Sequence, residues 1–119
     1  MKIIWKEVEE PECDCPKQVV LSEDTMRERK EKVISRMDEA GYDYLVVYCD
    51  LEHGANFEYL TGFVTRFEEA LLIIGKDKTY LIAGNENVNK AEISRMPVEP
   101  ILYPEFSLPN QPLKGKEKL

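Results

Sequence analysis

Apolar positions in this chain keep a helical rhythm first and then gather into short runs. Between Ser22 and Gly41, Met26, Val33, Ile34 and Met37 recur at helical spacing and form one stripe, with Arg27, Arg29, Lys30 and Lys32 mostly off it. Ser22 is suited to cap the helix start, Glu23 and Asp24 place negative charge at its positive end, and Gly41 is suited to end it. Tyr44-Leu45-Val46-Val47-Tyr48 reads as an interior strand covered on both faces. A polar loop over 49–56 leads to a short helix capped by Asn56, running through Phe57, Tyr59 and Leu60 and ended by Gly62. Ala70–Ile74 and Thr79–Ala83, joined by Gly75-Lys76-Asp77-Lys78, read as a β-hairpin. A short helix over Val88–Arg95 stops before Pro97, and Pro100–Tyr103 suits an edge strand, where proline is tolerated. Helix, glycine and buried strand in that order predict an α/β layer arrangement.

The flanks are less regular. Residues 1–21 read as an arm broken by Pro11 and Pro16, in which Trp5, Val8, Val19 and Val20 are available to pack on the domain. Residues 104–119, rich in proline and then in lysine, read as a linker or tail. With 119 residues there is room for one domain, here 22–103.

Charge and composition narrow the function classes. Net charge is −7 with Lys and Arg interspersed among acids, which disfavours nucleic acid and anionic membrane surfaces as partners. No apolar run approaches the ~20 residues that span a bilayer, and Met1–Lys6 is charged too early for a secretory signal, so a cytoplasmic protein is expected. Cys13, Cys15 and Cys49 do not read as a disulfide framework. With His53 they offer the elements of a zinc site, but Cys-x-Cys is shorter than the usual ligand spacing. The bland alternative is a free Cys49 at a strand end. No phosphate-binding glycine pattern occurs.

Several ordered motifs carry a family resemblance. They are Tyr42-Asp43-Tyr44-Leu45-Val46-Val47 after Gly41, Asn56-x-x-Tyr59-Leu60-Thr61-Gly62-Phe63, Arg66-Phe67-Glu68-Glu69-Ala70, and Gly84-Asn85-Glu86. Together they resemble the N-terminal domain of the creatinase, prolidase and aminopeptidase P family. The resemblance implies a three-layer α/β unit with a mixed sheet and flanking helices, ribonuclease H-like in topology. It further implies a homodimer and a following pita-bread catalytic domain, where two Asp, one His and two Glu hold a divalent metal pair (Mn, Co or Zn). That domain would act on short proline-containing peptides or, in creatinase, on a C–N bond. Nothing in this chain supplies the ordered ligand set, so no catalytic or metal residue and no cofactor is assigned to it, and its expected role is non-catalytic: dimerisation and active-site access. The alternative is a stand-alone interaction module of the same fold.

By the same resemblance Arg66, His53 and Tyr59 are candidates for substrate contact at the rim of a neighbouring subunit's site. Arg66 has the planar fork that suits a carboxylate. Its plain alternative is an ion pair with Glu68 or Glu69. His53, beside Glu52, is alternatively an exposed loop histidine, and Tyr59 a packed tyrosine.

Overall fold

A computed structural model describes residues 2–10 and 20–108. The first helix, α1 (Glu23–Ala40), begins where the capping pattern demands: Ser22 accepts the Thr25 N–H through its side chain at 3.2 Å. It ends at Gly41, which takes φ +75° and returns its N–H to the last turn. Met26 and Met37 are buried, with Val33 and Ile34 packed beside them, so the stripe faces the core as expected.

Four strands follow: β1 (Tyr44–Cys49), β2 (Ala70–Gly75), β3 (Thr79–Ala83) and β4 (Glu99–Leu102). They lie in that order, with β1–β2 and β2–β3 antiparallel and β3–β4 parallel. The α/β class and the mixed sheet with flanking helices are those expected. Gly75 N–H closes the hairpin on Lys78 C=O at 2.8 Å. β4 is an edge strand, and Pro100 is tolerated there.

Strand alternation sorts the side chains into two faces. Val47, Leu72 and Leu81 share one row, and Cys49, Ala70 and Ala83 share the next. All are buried, under α1 and under α2 (Ala55–Thr61), which contributes Phe57 and Leu60. The opposite face carries Tyr48, Leu71, Ile82 and Ile101 in one row and Val46, Ile73, Tyr80 and Glu99 in the other. The core cluster contains only residues of the first face, so the described helices lie on one side of the sheet.

Several local expectations are corrected. β1 is not an interior strand: among the described residues it pairs only with β2, and Tyr44, Val46 and Tyr48 are exposed. An all-apolar run does not distinguish a strand covered twice from one whose outer residues await a partner. The second helix is entered from Gly54 and not Asn56: the Gly54 carbonyl accepts the first helical bond, from Glu58 N–H at 2.8 Å, with no side-chain cap. The segment Val88–Ile93 winds as a 3-10 helix, and its preceding residue Asn87 gives no side-chain cap because its amide is engaged elsewhere. Beyond Tyr103 the chain keeps its order through a 3-10 turn, Pro104–Phe106, with Tyr103 and Phe106 edge-on at 4.9 Å.

Trp5, Val8 and Val20 are exposed and do not pack on the domain, while Val19 lies outside the described residues. A nine-residue piece ending Glu7-Val8-Glu9-Glu10 has too few apolar groups to offset the entropy of being ordered. Trp5 is the sole tryptophan. Its fluorescence in native buffer should therefore peak where it does in denaturant and be quenched freely by acrylamide. A blue-shifted, protected emission would show a docked arm.

Candidate functional site

The sequence word at the end of α2 has a structural task. Leu60 is core, and the Thr61 hydroxyl lies 2.8 Å from the Phe57 carbonyl and 3.0 Å from that of Phe63. Gly62 takes φ +80°, and a Cβ there would stand 2.7 Å from Arg95 Cγ. Phe63 then turns back edge-on to Phe57 at 5.3 Å. This delivers the chain to the sheet end marked by the row Cys49, Ala70, Ala83 and Leu102. Four connections leave or enter there: 50–54, 63–69, 84–87 and 103–107. They form one rim, and it holds the most functional chemistry in the described residues.

Arg66 and Phe67 project from this rim. Phe67 adopts φ +121°, a conformation that side chains rarely accept, yet its ring is 67% exposed. The Arg66 guanidinium lies over that ring at 5.2 Å. Both flanks are anchored. Thr65 is buried, with Oγ1 3.2 Å from the Cys49 thiol. Glu68 is 5% exposed; its carboxylate accepts Glu86 N–H at 2.9 Å and the Asn87 side-chain amide at 2.6 Å. The two anchors hold the exposed pair in its strained form.

That arrangement removes one reading of Arg66. Glu68 points into the molecule and is no partner for it, and Glu69 lies toward the Tyr48 hydroxyl. Among the described residues Arg66 makes no ion pair. Gly84 explains the approach of Glu68: a Cβ there would stand 2.6 Å from Glu68 Oε1 and 2.6 Å from Ser107 N. Ser107 Oγ in turn accepts Asn85 N–H at 2.9 Å. One carboxylate oxygen of Glu86 is buried without a hydrogen-bond partner.

The neighbouring loop presents His53. Asp50 Oδ1 accepts the N–H groups of Glu52 and His53 at 2.9 and 2.6 Å, and also the His53 ring at 2.9 Å. A carboxylate only accepts, so His53 Nδ1 carries the proton and Nε2 faces outward. The His53 hydrogen bond holds the Asp50 carboxyl below its usual range, with help from those backbone N–H groups. Tyr48 donates to the other Asp50 oxygen at 3.2 Å. Withdrawal from water, with the charges of Asp50 and Glu69, pushes the Tyr48 phenol up to about 12.

Tyr59 has a different setting. Its ring carries the Arg29 guanidinium at 4.0 Å and its carbonyl accepts from the same group, so it ties α2 to α1. Arg66 and His53 thus stand on the rim loops, while Tyr59 stands on the helix pair. None of the three touches another. The sequence reading missed Phe67, Glu68 and Asn87 as parts of the site. A signal for Glu68 existed: the β2 alternation of Ala70, Leu72 and Ile74, run back two residues, puts it on the buried face.

Among the described residues no three His, Cys, Asp or Glu side chains converge on a metal position. Cys49 is buried on Thr65, His53 is committed to Asp50 through one nitrogen, and Cys13 and Cys15 lie outside the described residues. No helix among the described residues is long and apolar enough to cross a membrane.

Comparison with known proteins follows the same lines. The family model of the Creatinase/Prolidase N-terminal domain matches residues 29–111. No curated protein sequence matches the chain. Among solved structures, an Xaa-Pro aminopeptidase from Streptococcus pyogenes is similar at 27% identity with a TM-score of 0.49, over 60% of this chain and 50% of that one. An Xaa-Pro dipeptidase from Bacillus anthracis is similar at 23% identity with a TM-score of 0.52, over 66% of this chain and 20% of that one. The second likeness is one of fold. The chain thus spans about half the length of one and a fifth of the other.

Two outcomes test the rim. Glu68→Ala leaves a buried donor on Asn87 and a half-buried one on Glu86 without an acceptor and should lower unfolding stability by about 1–3 kcal/mol in denaturant titrations. A loss within error would mean that the anchor is not needed. At high pH, Tyr48 should appear as a late-ionising tyrosine in tyrosinate absorbance, abolished by Tyr48→Phe. Because its folded pKa is raised from 10.0 to about 12, the stability it contributes is present below pH 10 and lost as pH rises through 12.

Proposed function

The chain belongs to the creatinase/prolidase N-terminal domain family, and on that premise we propose that it is the non-catalytic domain of an Xaa-Pro aminopeptidase- or dipeptidase-like metallohydrolase. Its tasks in that setting are to help hold a homodimer and to narrow access to the metal centre of a catalytic domain. The metal pair (Mn, Co or Zn) and its ligands belong to that other domain. Short proline-containing peptides are the substrate class.

The observation that carries this reading is the anchored Arg66–Phe67 pair. A guanidinium with no acidic partner among the described residues, stacked on an aromatic ring and held at fixed length by buried Thr65 and Glu68, is arranged to meet an anionic group from outside. A peptide carboxylate supplies that group. His53, with Nε2 outward and its ring fixed by Asp50, stands on the same rim as a second polar contact. Tyr59, engaged with Arg29, serves by bracing the helix pair, which is a smaller role than direct contact.

The isolated 119-residue chain should not hydrolyse Xaa-Pro dipeptides or tripeptides with Mn²⁺, Co²⁺ or Zn²⁺ present, and turnover would overturn the non-catalytic assignment. In a hydrolase carrying this domain joined to its catalytic domain, Arg66→Ala should raise KM or lower kcat/KM for Xaa-Pro peptides, while leaving the melting temperature unchanged. Unaltered kinetics would remove Arg66 from the substrate path.

A further inference from the structure

The rim carries its strain at one residue. Phe67 stands at φ +121° with most of its ring in solvent, so neither burial nor a glycine's freedom accounts for that backbone. Such a residue has a relaxed alternative at negative φ, and its surroundings select between the two. On one side the Thr65 hydroxyl is fixed on the Cys49 thiol. On the other, Glu68 is fixed on the loop 84–87 through Glu86 N–H and the Asn87 amide. The strained form lasts only while that loop stays in place.

The loop is seated in turn on the segment that leaves β4. Tyr103 N–H bonds to Ala83 C=O at 2.9 Å, and Asn85 N–H to Ser107 Oγ at 2.9 Å. Between those two bonds the turn Pro104–Phe106 is closed by Phe106 N–H on Tyr103 C=O and Ser107 N–H on Pro104 C=O, both at 3.0 Å. Gly84 lies between this turn and the Glu68 carboxylate. A Cβ on it would stand 2.6 Å from Glu68 Oε1, 2.6 Å from Ser107 N and 2.8 Å from Phe106 C. Its φ is not positive, so glycine is needed there for space and not for conformation. Carboxylate, Gly84 backbone and turn are stacked without slack, and a close-packed stack transmits displacement.

We propose that the segment 103–107 sets the reach of Arg66. Seated on the loop 84–87, it holds Glu68 inward and Phe67 strained; when it lifts, Phe67 relaxes and Arg66 is no longer held at one reach. Ser107 and Gly84 are then positioning residues that act through Glu68. The link itself stands on the contacts above, and only its consequence for substrate rests on the role given to Arg66 under the proposed function.

Nuclear magnetic resonance on the isotopically labelled 119-residue chain tests the link. The readout is the coupling between the Phe67 amide proton and Hα, which is small at φ +121° and several times larger in an extended residue. Ser107→Ala removes the acceptor of Asn85 N–H without adding bulk, and Gly84→Ala drives a methyl between turn and carboxylate. Glu68→Ala cuts the link and sets the full response. The Phe67 coupling should rise in all three, most in Glu68→Ala, with α1 amide shifts unchanged as the sign of an intact fold. Ser107→Ala decides alone if Gly84→Ala does not fold. A large coupling in the parent chain overturns the proposal, and so does an Asn85 amide that shifts while Phe67 keeps the parent value. In a hydrolase carrying this domain, Ser107→Ala should raise KM for Xaa-Pro peptides and add nothing on top of Arg66→Ala. Equal losses with and without Arg66 overturn the positioning role. A Phe67 that responds while Arg66→Ala leaves KM unaltered removes the substrate reading and leaves the link standing.

Discussion

Everything in this fold follows from a two-residue alternation that is in register across β1, β2 and β3. Val47, Leu72 and Leu81 face the helices together because each strand starts on the same phase. A slip of one residue in any strand would carry Val46, Leu71 or Ile82 into the core and eject its neighbour. The two helices can pack only on the face so defined. Phe57 and Met26, both fully buried, fill the space between helices and sheet. The helix pair is further braced by Arg29 on Tyr59.

The same alternation reaches one step past the strand and creates the functional end. Glu68 is on the core side of β2, so its carboxylate is drawn inward. A buried charge is tolerated only with good partners, and the Glu86 N–H and Asn87 amide provide them. Gly84 makes the approach possible by lacking a side chain. With Glu68 fixed inside and Thr65 fixed on Cys49, the two residues between them have few ways to bridge the gap. Phe67 takes a conformation it would not adopt alone, and Arg66 is left outside with no acidic partner among the described residues. The reach of the rim is thus a by-product of burial two residues away.

Much of this was legible in the sequence. The capped first helix, its Gly41 stop, the β2–β3 hairpin and the packing of Phe57, Leu60 and Phe63 follow from local rules of spacing and turn chemistry. What escaped depended on long-range partners. Tyr44–Tyr48 reads as twice-covered because composition records apolarity and not who supplies the cover. A helix reads as starting at Val88, but nothing in the sequence shows that the amide of Asn87 before it answers a glutamate nineteen positions earlier. Glu68 reads as a partner for Arg66 by sequence proximity, whereas strand phase puts it on the buried face. The family likeness points to these motifs, but only the fold shows that Gly62 and Thr61 act on packing while Arg66 makes no ion pair among the described residues.

The placement of β1 at the end of the sheet has a consequence for handling the isolated domain. Among the described residues its outer edge pairs with no strand, and Tyr44-Leu45-Val46-Val47-Tyr48-Cys49 has no charge, no proline and no bulge to blunt it. Such a segment meets the requirements for templating further strands from other chains. Near the isoelectric point, where mutual repulsion vanishes, this edge is open to strand addition from other chains.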